Sequence, residues 1–187
     1  AYGNVEWAAL LYRMDWEELY GIVDGIKCRA TGSGMTEEEL RQLFASLNID
    51  ATTVRGQVVA FALSCQGMFA YAQPSSLRGG PGNPSVGINL DCSSFVQYCY
   101  WAQNLPFSAG STAAYRNAAD LVGISPSEVQ PGDLRVVYAS GGEQGHVQMA
   151  LGGGAWIECC YGYGVAVNMS NAWMESRPCY YFRYAGL

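Results

Sequence analysis

The chain contains a single histidine, His146, and a cysteine, Cys92, that directly follows an aspartate. The sequence pattern places Cys92 at the start of a helix and His146 at the start of a strand. These residue types are the minimum parts of a thiol nucleophile and its general base. A single histidine excludes a zinc site built on two or three histidines, and a serine–histidine–aspartate triad would also have to use His146.

The start of a helix suits a reactive cysteine, because only the thiolate attacks and a free thiol has a pKa near about 8.5. Asp91 is a typical N-cap, which puts Cys92 in the first turn. There, unpaired backbone N–H groups and the helix dipole favour an anion. The N–H groups of Cys92 and Ser93 could also face a developing oxyanion. The alternative is that Cys92 is a buried packing cysteine.

The composition indicates one globular domain with a well-buried core, since the chain has 187 residues, of which 50% are hydrophobic and 14% charged. A net charge of −6 and the lack of lysine or arginine clusters argue against nucleic acid as a partner. No apolar run reaches the roughly 20 residues of a membrane span. The chain opens on an amphipathic pattern and not on a signal peptide.

Seven cysteines leave the redox compartment open. The sequence has no Cys-x-x-Cys pair, so neither a redox motif nor a zinc ribbon is indicated. If Cys92 is a free nucleophile, the remaining cysteines either form disulfides or pack as small buried hydrophobes.

The first part of the chain predicts helices. Apolar residues at helical spacing indicate a helix over residues 5–26, and a capping box at residues 36–39 starts a second one. Thr52 or Thr53 is expected to cap a third helix that runs to about Ala72. We therefore expect residues 1–50 to form a helical extension and residues 51–187 to form the main domain.

The rest of the chain predicts a loop, a helix and then a sheet. Residues 73–89 are rich in proline and glycine, which is typical of a functional loop. A helix over residues 92–103 and a helical turn near 114–121 follow. Short apolar runs then predict five strands, over residues 134–139, 146–151, 155–159, 165–169 and 179–184. This order indicates an α+β fold with a small antiparallel sheet of about five strands.

Three short motifs occur in a fixed order: DCSSFV at residues 91–96, PGDL at 131–134 and GHV at 145–147. Their order and spacing resemble the NlpC-type papain-like cysteine peptidases of bacteria, over about residues 55–187. The resemblance implies a papain-like core in which the helix that bears the nucleophile packs on the antiparallel sheet. It also implies that Cys92 attacks and that His146 is the base.

A third residue is expected to orient His146. Glu158 lies in an otherwise apolar strand, and a buried carboxylate needs a partner such as an imidazolium. The family places a polar residue about twelve positions after the base, which is Glu158 here. The alternative is an outward-facing charge on an edge strand. Gln148, on the same strand face as His146, and Asn168 are weaker substitutes.

The sequence departs from the family upstream of the cysteine, where a Tyr-x-x-Gly-Gly motif commonly supplies a tyrosine to the oxyanion site. Ser76 occupies the matching position and would be a weaker donor, while Tyr71 is nearby but out of register. Arg78, in the same loop, either meets an acidic substrate or is simply exposed. Aromatic walls suit glycan or peptide binding. The residues expected around the substrate are Ser76, Arg78, Ser93, Gln148, Trp156, Tyr161 and Tyr163.

The resemblance implies a secreted or cell-envelope endopeptidase. It would hydrolyse an amide bond of bacterial cell-wall stem peptides, between γ-D-glutamate and a diamino acid, through a thioester. No metal or organic cofactor is implied. Two alternatives stay open: a related thiol amidase or acyltransferase with another acyl substrate, and a non-catalytic cell-wall-binding module. The missing tyrosine favours the second alternative, and Cys92 and His146 count against it.

Overall fold

The computed structural model of the chain describes residues 46, 47, 50, 52–66, 69–73, 89–141 and 144–187. The helix predicted over residues 5–26 and residues 36–45 of the second predicted helix lie outside these ranges, as do Ser76 and Arg78. The described α-helices are α1 (Val54–Ser64), α2 (Cys92–Trp101) and α3 (Ala172–Glu175), and two 3₁₀ helices cover Thr112–Asn117 and Pro126–Glu128. The described strands are β1 (Ala70–Tyr71), β2 (Asn89–Leu90), β3 (Leu121–Ile124), β4 (Leu134–Val137), β5 (His146–Gly152), β6 (Ala155–Cys160), β7 (Gly164–Asn168) and β8 (Tyr180–Tyr184).

Strands β3 to β8 form one antiparallel sheet of six strands, in the order β3-β8-β4-β5-β6-β7. The α+β fold with an antiparallel sheet is therefore confirmed, and all five predicted strands are present. The sheet has one strand more than expected, because β3 pairs with β8 at the edge. In the part of the chain that the structure describes, no helix has the length and apolar character needed to cross a membrane.

Helix α1 begins where the sequence predicts and ends earlier. The hydroxyl of Thr53 accepts the N–H of Gly56 at 3.0 Å and caps the first turn. At the other end, the N–H of Cys65 is shared between the carbonyls of Phe61 and Ala62, at 3.2 Å from each. This tightening of the last turn ends the helix well before Ala72.

Helix α2 packs on β5 and β6, and α1 packs on α2. Phe95, Val96 and Cys99 are completely buried on α2. Full burial of a phenylalanine or valine side chain contributes about 1.5–3 kcal/mol. The helix that begins at Cys92 is therefore held firmly against the middle of the sheet.

The PGDL motif forms a buried ionic junction at the start of β4. The carboxylate of Asp133 is completely buried and accepts hydrogen bonds from Arg55 of α1 at 3.1 Å and from Arg183 of β8 at 2.6 and 3.0 Å. It also accepts the backbone N–H of Gln130 at 2.8 Å. These contacts tie α1, β4 and β8 together at a single side chain.

Candidate active site

Cys92 is the first residue of α2, and a capping box fixes the helix start. The Asp91 carboxylate accepts the N–H of Ser94 at 2.7 Å, and the Asp91 N–H donates to the Ser94 hydroxyl at 2.8 Å. The Ser93 hydroxyl donates to the same carboxylate at 3.0 Å and is buried, so this side chain supports the cap. The Cys92 side chain is only 7% exposed and lies at the positive end of the helix dipole.

His146 opens β5 opposite Val137 of β4. The preceding residue has to be glycine, because a Cβ at Gly145 would lie 2.5 Å from the Thr112 hydroxyl and 2.9 Å from the Val137 carbonyl. The imidazole of His146 also contacts the indole of Trp173 edge to face, with the ring centroids 6.1 Å apart. The strand and the indole together restrict the position of the ring.

Glu158 of β6 is 2% exposed and lies against the imidazole. Its Oε2 atom is in hydrogen-bond contact with Nε2 of His146 and accepts from the Gln148 amide at 2.7 Å. Its Oε1 atom accepts from the amides of Asn168 and, at 3.3 Å, Asn171. These donors satisfy a carboxylate that would otherwise be costly to bury. Because the contact with Glu158 occupies Nε2, Nδ1 is the ring nitrogen left for the hydrogen bond to Cys92.

The charge state of His146 follows from two opposing effects. Burial of the ring lowers its pKa, but hydrogen bonds to Cys92 and Glu158 outweigh burial and raise the pKa to about 10. The ring is therefore an imidazolium at neutral pH. A cysteine at a helix start, next to an imidazolium, is the arrangement that favours a thiolate nucleophile.

Cys92 is the one thiol among the six described cysteines, all of them free, that hydrogen-bonds to His146. Burial, followed by the charges of Glu158 and Cys92, raises the pKa of Cys160 to about 12. Burial likewise raises the pKa of Cys65, Cys99 and Cys159, so these thiols stay protonated. Within the described ranges, no group of three or more His, Cys, Asp or Glu side chains is placed to hold a metal ion.

A cavity of about 730 Å³ opens beside His146. Tyr161, which is 86% exposed, stands at its wall with its ring 6.2 Å from that of Tyr71. The predicted cleft residues Ser93, Gln148 and Trp156 are not among the described residues that line it. The lining residues are Tyr71, Gln144, Gly145, His146, Glu158, Cys160, Tyr161, Tyr163, Asn168, Ser170, Asn171 and Trp173.

Tyr71 was out of register in the sequence, yet it lies at the site. Its pairing with Leu90 in the β1–β2 bridge brings it next to the segment that leads into Cys92. Burial, and then the charges of Cys92 and Asp91, raise the pKa of the Tyr71 phenol to about 12. The phenol is therefore a neutral hydrogen-bond donor near Cys92.

The sequence analysis also missed Asn171 and Arg135. Asn171 lies in an irregular segment and gave no signal. Arg135 did give one, because it is a charged residue inside the apolar strand β4, and the argument that singled out Glu158 applies equally to it.

Comparison with known proteins agrees with this geometry. Residues 74–181 match the NlpC/P60 family, which is more than half of the chain. The peptidoglycan DL-endopeptidase CwlO of Bacillus licheniformis is 30% identical over 126 residues, which cover 64% of this chain and 26% of that protein. The chain thus spans about a quarter of the length of this curated relative.

Solved structures show the same fold. RipD from Mycobacterium tuberculosis, described as a non-catalytic NlpC/p60 domain protein adapted to peptidoglycan binding, is 25% identical with a TM-score of 0.51, covering 70% of this chain and 97% of that chain. NlpC2 from Trichomonas vaginalis shares the fold at 19% identity and a TM-score of 0.53, covering 74% of this chain and 48% of that chain. With its cysteine at a helix start and its histidine on the facing strand, the chain belongs to the NlpC/P60 family.

Proposed function

We propose that this chain is a cysteine endopeptidase that hydrolyses an amide bond of bacterial cell-wall stem peptides, between γ-D-glutamate and a diamino acid. The observation that carries the proposal is the position of His146, which hydrogen-bonds to Cys92 on one side and to the buried Glu158 on the other. A structural cysteine needs neither a charged imidazole nor a buried acid behind it.

In the first step, the Cys92 sulfur bonds to the substrate carbonyl carbon and the carbonyl oxygen becomes an oxyanion. The carbon–nitrogen bond then breaks as His146 passes its Nδ1 proton to the leaving nitrogen. A free amine leaves, and the acyl group stays on Cys92 as a thioester. Glu158 holds the ring in place and stabilises the imidazolium form.

In the second step, a water molecule loses a proton to the neutral His146 as its oxygen bonds to the thioester carbon. The carbon–sulfur bond breaks and the carboxylic acid leaves. The thiolate and the imidazolium are restored, so the enzyme returns to its starting state without an external reactant other than water.

The oxyanion needs donors at the point where its charge develops. The backbone N–H of Cys92 is one, because the first N–H groups of a helix have no partner within it. We propose Tyr71 as the second, since it lines the cavity and its neutral phenol lies near Cys92. Ser76 and Arg78 stay predictions that lie outside the described residues.

Two findings support the choice of substrate and setting. The relative from Bacillus licheniformis is named a peptidoglycan DL-endopeptidase. The cavity beside His146 combines exposed tyrosines with amide and hydroxyl side chains, which suits a peptide that carries many hydrogen-bonding groups. Such a substrate places the chain in a secreted or cell-envelope setting.

The proposal is tested with purified L-Ala-γ-D-Glu-diamino acid-D-Ala tetrapeptide, followed by mass spectrometry. We expect cleavage after D-Glu by the unaltered chain and none by Cys92→Ala. A parallel reaction with a free amine acceptor distinguishes hydrolysis from acyl transfer. No cleavage by a folded chain whose Cys92 reacts quickly with iodoacetamide would overturn this substrate and favour another thiol amidase or acyltransferase.

A non-catalytic wall-binding role is the second candidate. The match to RipD spans 97% of the RipD chain, and RipD is described as non-catalytic. The two roles differ in the reactivity of Cys92. Selective alkylation of Cys92 near neutral pH supports the peptidase. Labelling no faster than that of the buried Cys99, combined with binding to insoluble peptidoglycan, would support the binding module.

A further inference from the structure

Arg135 is a buried cation behind the candidate active site. Its side chain is 7% exposed, and its guanidinium stacks 4.3 Å over the ring of Trp156. Among the residues that the structure describes, no carboxylate lies within ion-pair distance of it. Its hydrogen bonds instead go to Gln148, the residue paired with it across β4 and β5: Nε lies 3.0 Å and Nη2 2.5 Å from the Gln148 side-chain oxygen.

These contacts fix the orientation of the Gln148 amide. A guanidinium can only donate, so the Gln148 oxygen has to face Arg135. The Gln148 nitrogen then has to face the other way, where it donates to Oε2 of Glu158 at 2.7 Å. Gln148 is completely buried, so no water competes for either end. Without Arg135, the amide could turn over and present its oxygen to the carboxylate.

The Glu158 atom that receives this bond is also the atom that contacts His146. The Gln148 donor therefore acts on the oxygen that orients the imidazole. A buried arginine is expensive at a strand position that a valine or leucine could fill. The free-energy cost of burying the Arg135 charge is explained if the guanidinium holds the Gln148 amide in place.

We propose that Arg135 and Gln148 are positioning residues that hold Glu158 against His146 and so keep the Cys92–His146 pair aligned. This inference rests on the proposed function, because it assigns these residues a part in the same reaction. Neither residue touches the substrate. Arg135 acts through Gln148, and Gln148 acts through Glu158.

The titratable groups around this network define what a pH profile can report. Besides His146 and Cys92, these are Cys179 and Tyr181 near Arg135 and Cys160 near Glu158. Burial raises the pKa of Cys160 and Cys179, so neither thiol accounts for a transition at or below neutral pH.

The test is the titration of the His146 imidazole, read by ¹⁵N NMR. For Arg135→Met we expect the midpoint to fall below about 10, because a loosened Glu158 stabilises the imidazolium less. Tetrapeptide cleavage should fall about tenfold in kcat with little change in KM. Arg135→Lys, which keeps a donor, should restore most of the loss.

Gln148→Leu should reproduce this effect, and the double variant should be no worse than either single one, because both act along one path. Arg116→Met is the matched control: it removes an arginine that stacks 3.9 Å over Tyr138, with no link to Glu158, and should leave the profile unchanged.

Three results would overturn the inference: additive losses in the double variant, a His146 midpoint that rises, or an unchanged midpoint with only a lower melting temperature. The second means that Arg135 acts only as a charge, and the third that it serves only stability. Failure of the unaltered chain to cut the tetrapeptide would overturn the proposed function alone, because the imidazole titration does not use that substrate.

Discussion

Because His146 is the single histidine of the chain, any imidazole titration that is measured belongs to the candidate site. Its raised pKa means that the imidazolium persists through neutral pH and is lost as the pH rises through about 10. We therefore expect one imidazole titration by ¹⁵N NMR, with a midpoint near 10. Tetrapeptide cleavage should be lost over the same pH range, because the leaving nitrogen takes its proton from the imidazolium.

Removal of a negative partner should lower that midpoint. In Glu158→Gln and in Cys92→Ser, burial continues to favour the neutral ring while one negatively charged partner is lost. Glu128→Gln changes an exposed carboxylate away from the cavity and serves as the control. A midpoint near the ordinary value of about 6.5 in the unaltered chain would contradict the imidazolium assignment.

Tyr71 carries the prediction on oxyanion stabilisation. Tyr71→Phe keeps the ring that packs against Tyr161 and removes only the hydroxyl. We expect kcat to fall by about 10²-fold with KM nearly unchanged, since the donor acts mainly on the transition state. Steady-state kinetics on the tetrapeptide measure this. Tyr180→Phe, on a ring that packs with Tyr138 away from the cavity, should keep full activity; equal rates for the two variants would remove Tyr71 from the mechanism.

The contact between β1 and β7 positions Tyr71, and it depends on one glycine. A Cβ at Gly164 would lie 2.0 Å from the carbonyl oxygen of Phe69, the residue before β1. That carbonyl accepts the N–H of Val165 at 3.2 Å. Any side chain at position 164 would therefore push β1, and Tyr71 with it, away from the sheet.

Gly162 provides the control for this element, because it also has a positive φ, +87° against +71° at Gly164, but no neighbour within 4 Å of an added Cβ. We expect Gly162→Ala to cost about 1 kcal/mol from backbone strain alone. Gly164→Ala should cost more and should also reduce kcat. Urea unfolding and tetrapeptide kinetics measure both effects, and equal losses in the two variants would contradict the role given to the β1–β7 contact.

The elements differ in how far the sequence could predict them. The strands that carry His146 and Glu158 are nearly continuous apolar runs between glycines, so their positions followed from local pattern. Strand β3 was missed because its two central residues are exposed and its partner β8 lies far along the chain. The Arg135–Gln148–Glu158 contacts depend on the register of three strands, which local pattern does not encode.

On the scale of the whole molecule, Asp133 joins three elements, α1, β4 and β8, so its loss should destabilise the fold as a whole. Asp133→Asn would leave Arg55 and Arg183 facing a neutral amide in a buried place, and we expect a loss of about 3 kcal/mol in the free energy of unfolding. Urea denaturation at neutral pH measures it. Asp120→Asn, at a partly exposed carboxylate that accepts only the N–H and hydroxyl of Ser108, should cost under about 1 kcal/mol, and similar losses would contradict the junction.

The β1–β2 bridge has a consequence for how this protein could change over time. It clamps Tyr71 beside Leu90, so the two ends of the intervening segment are held together whatever lies between them. Each doubling of a closed loop costs only about 0.6 kcal/mol. An insertion or a wholesale exchange between these anchors would thus leave Cys92, His146 and Tyr71 where they are. The segment between the anchors can therefore change in length and sequence without moving the proposed active site.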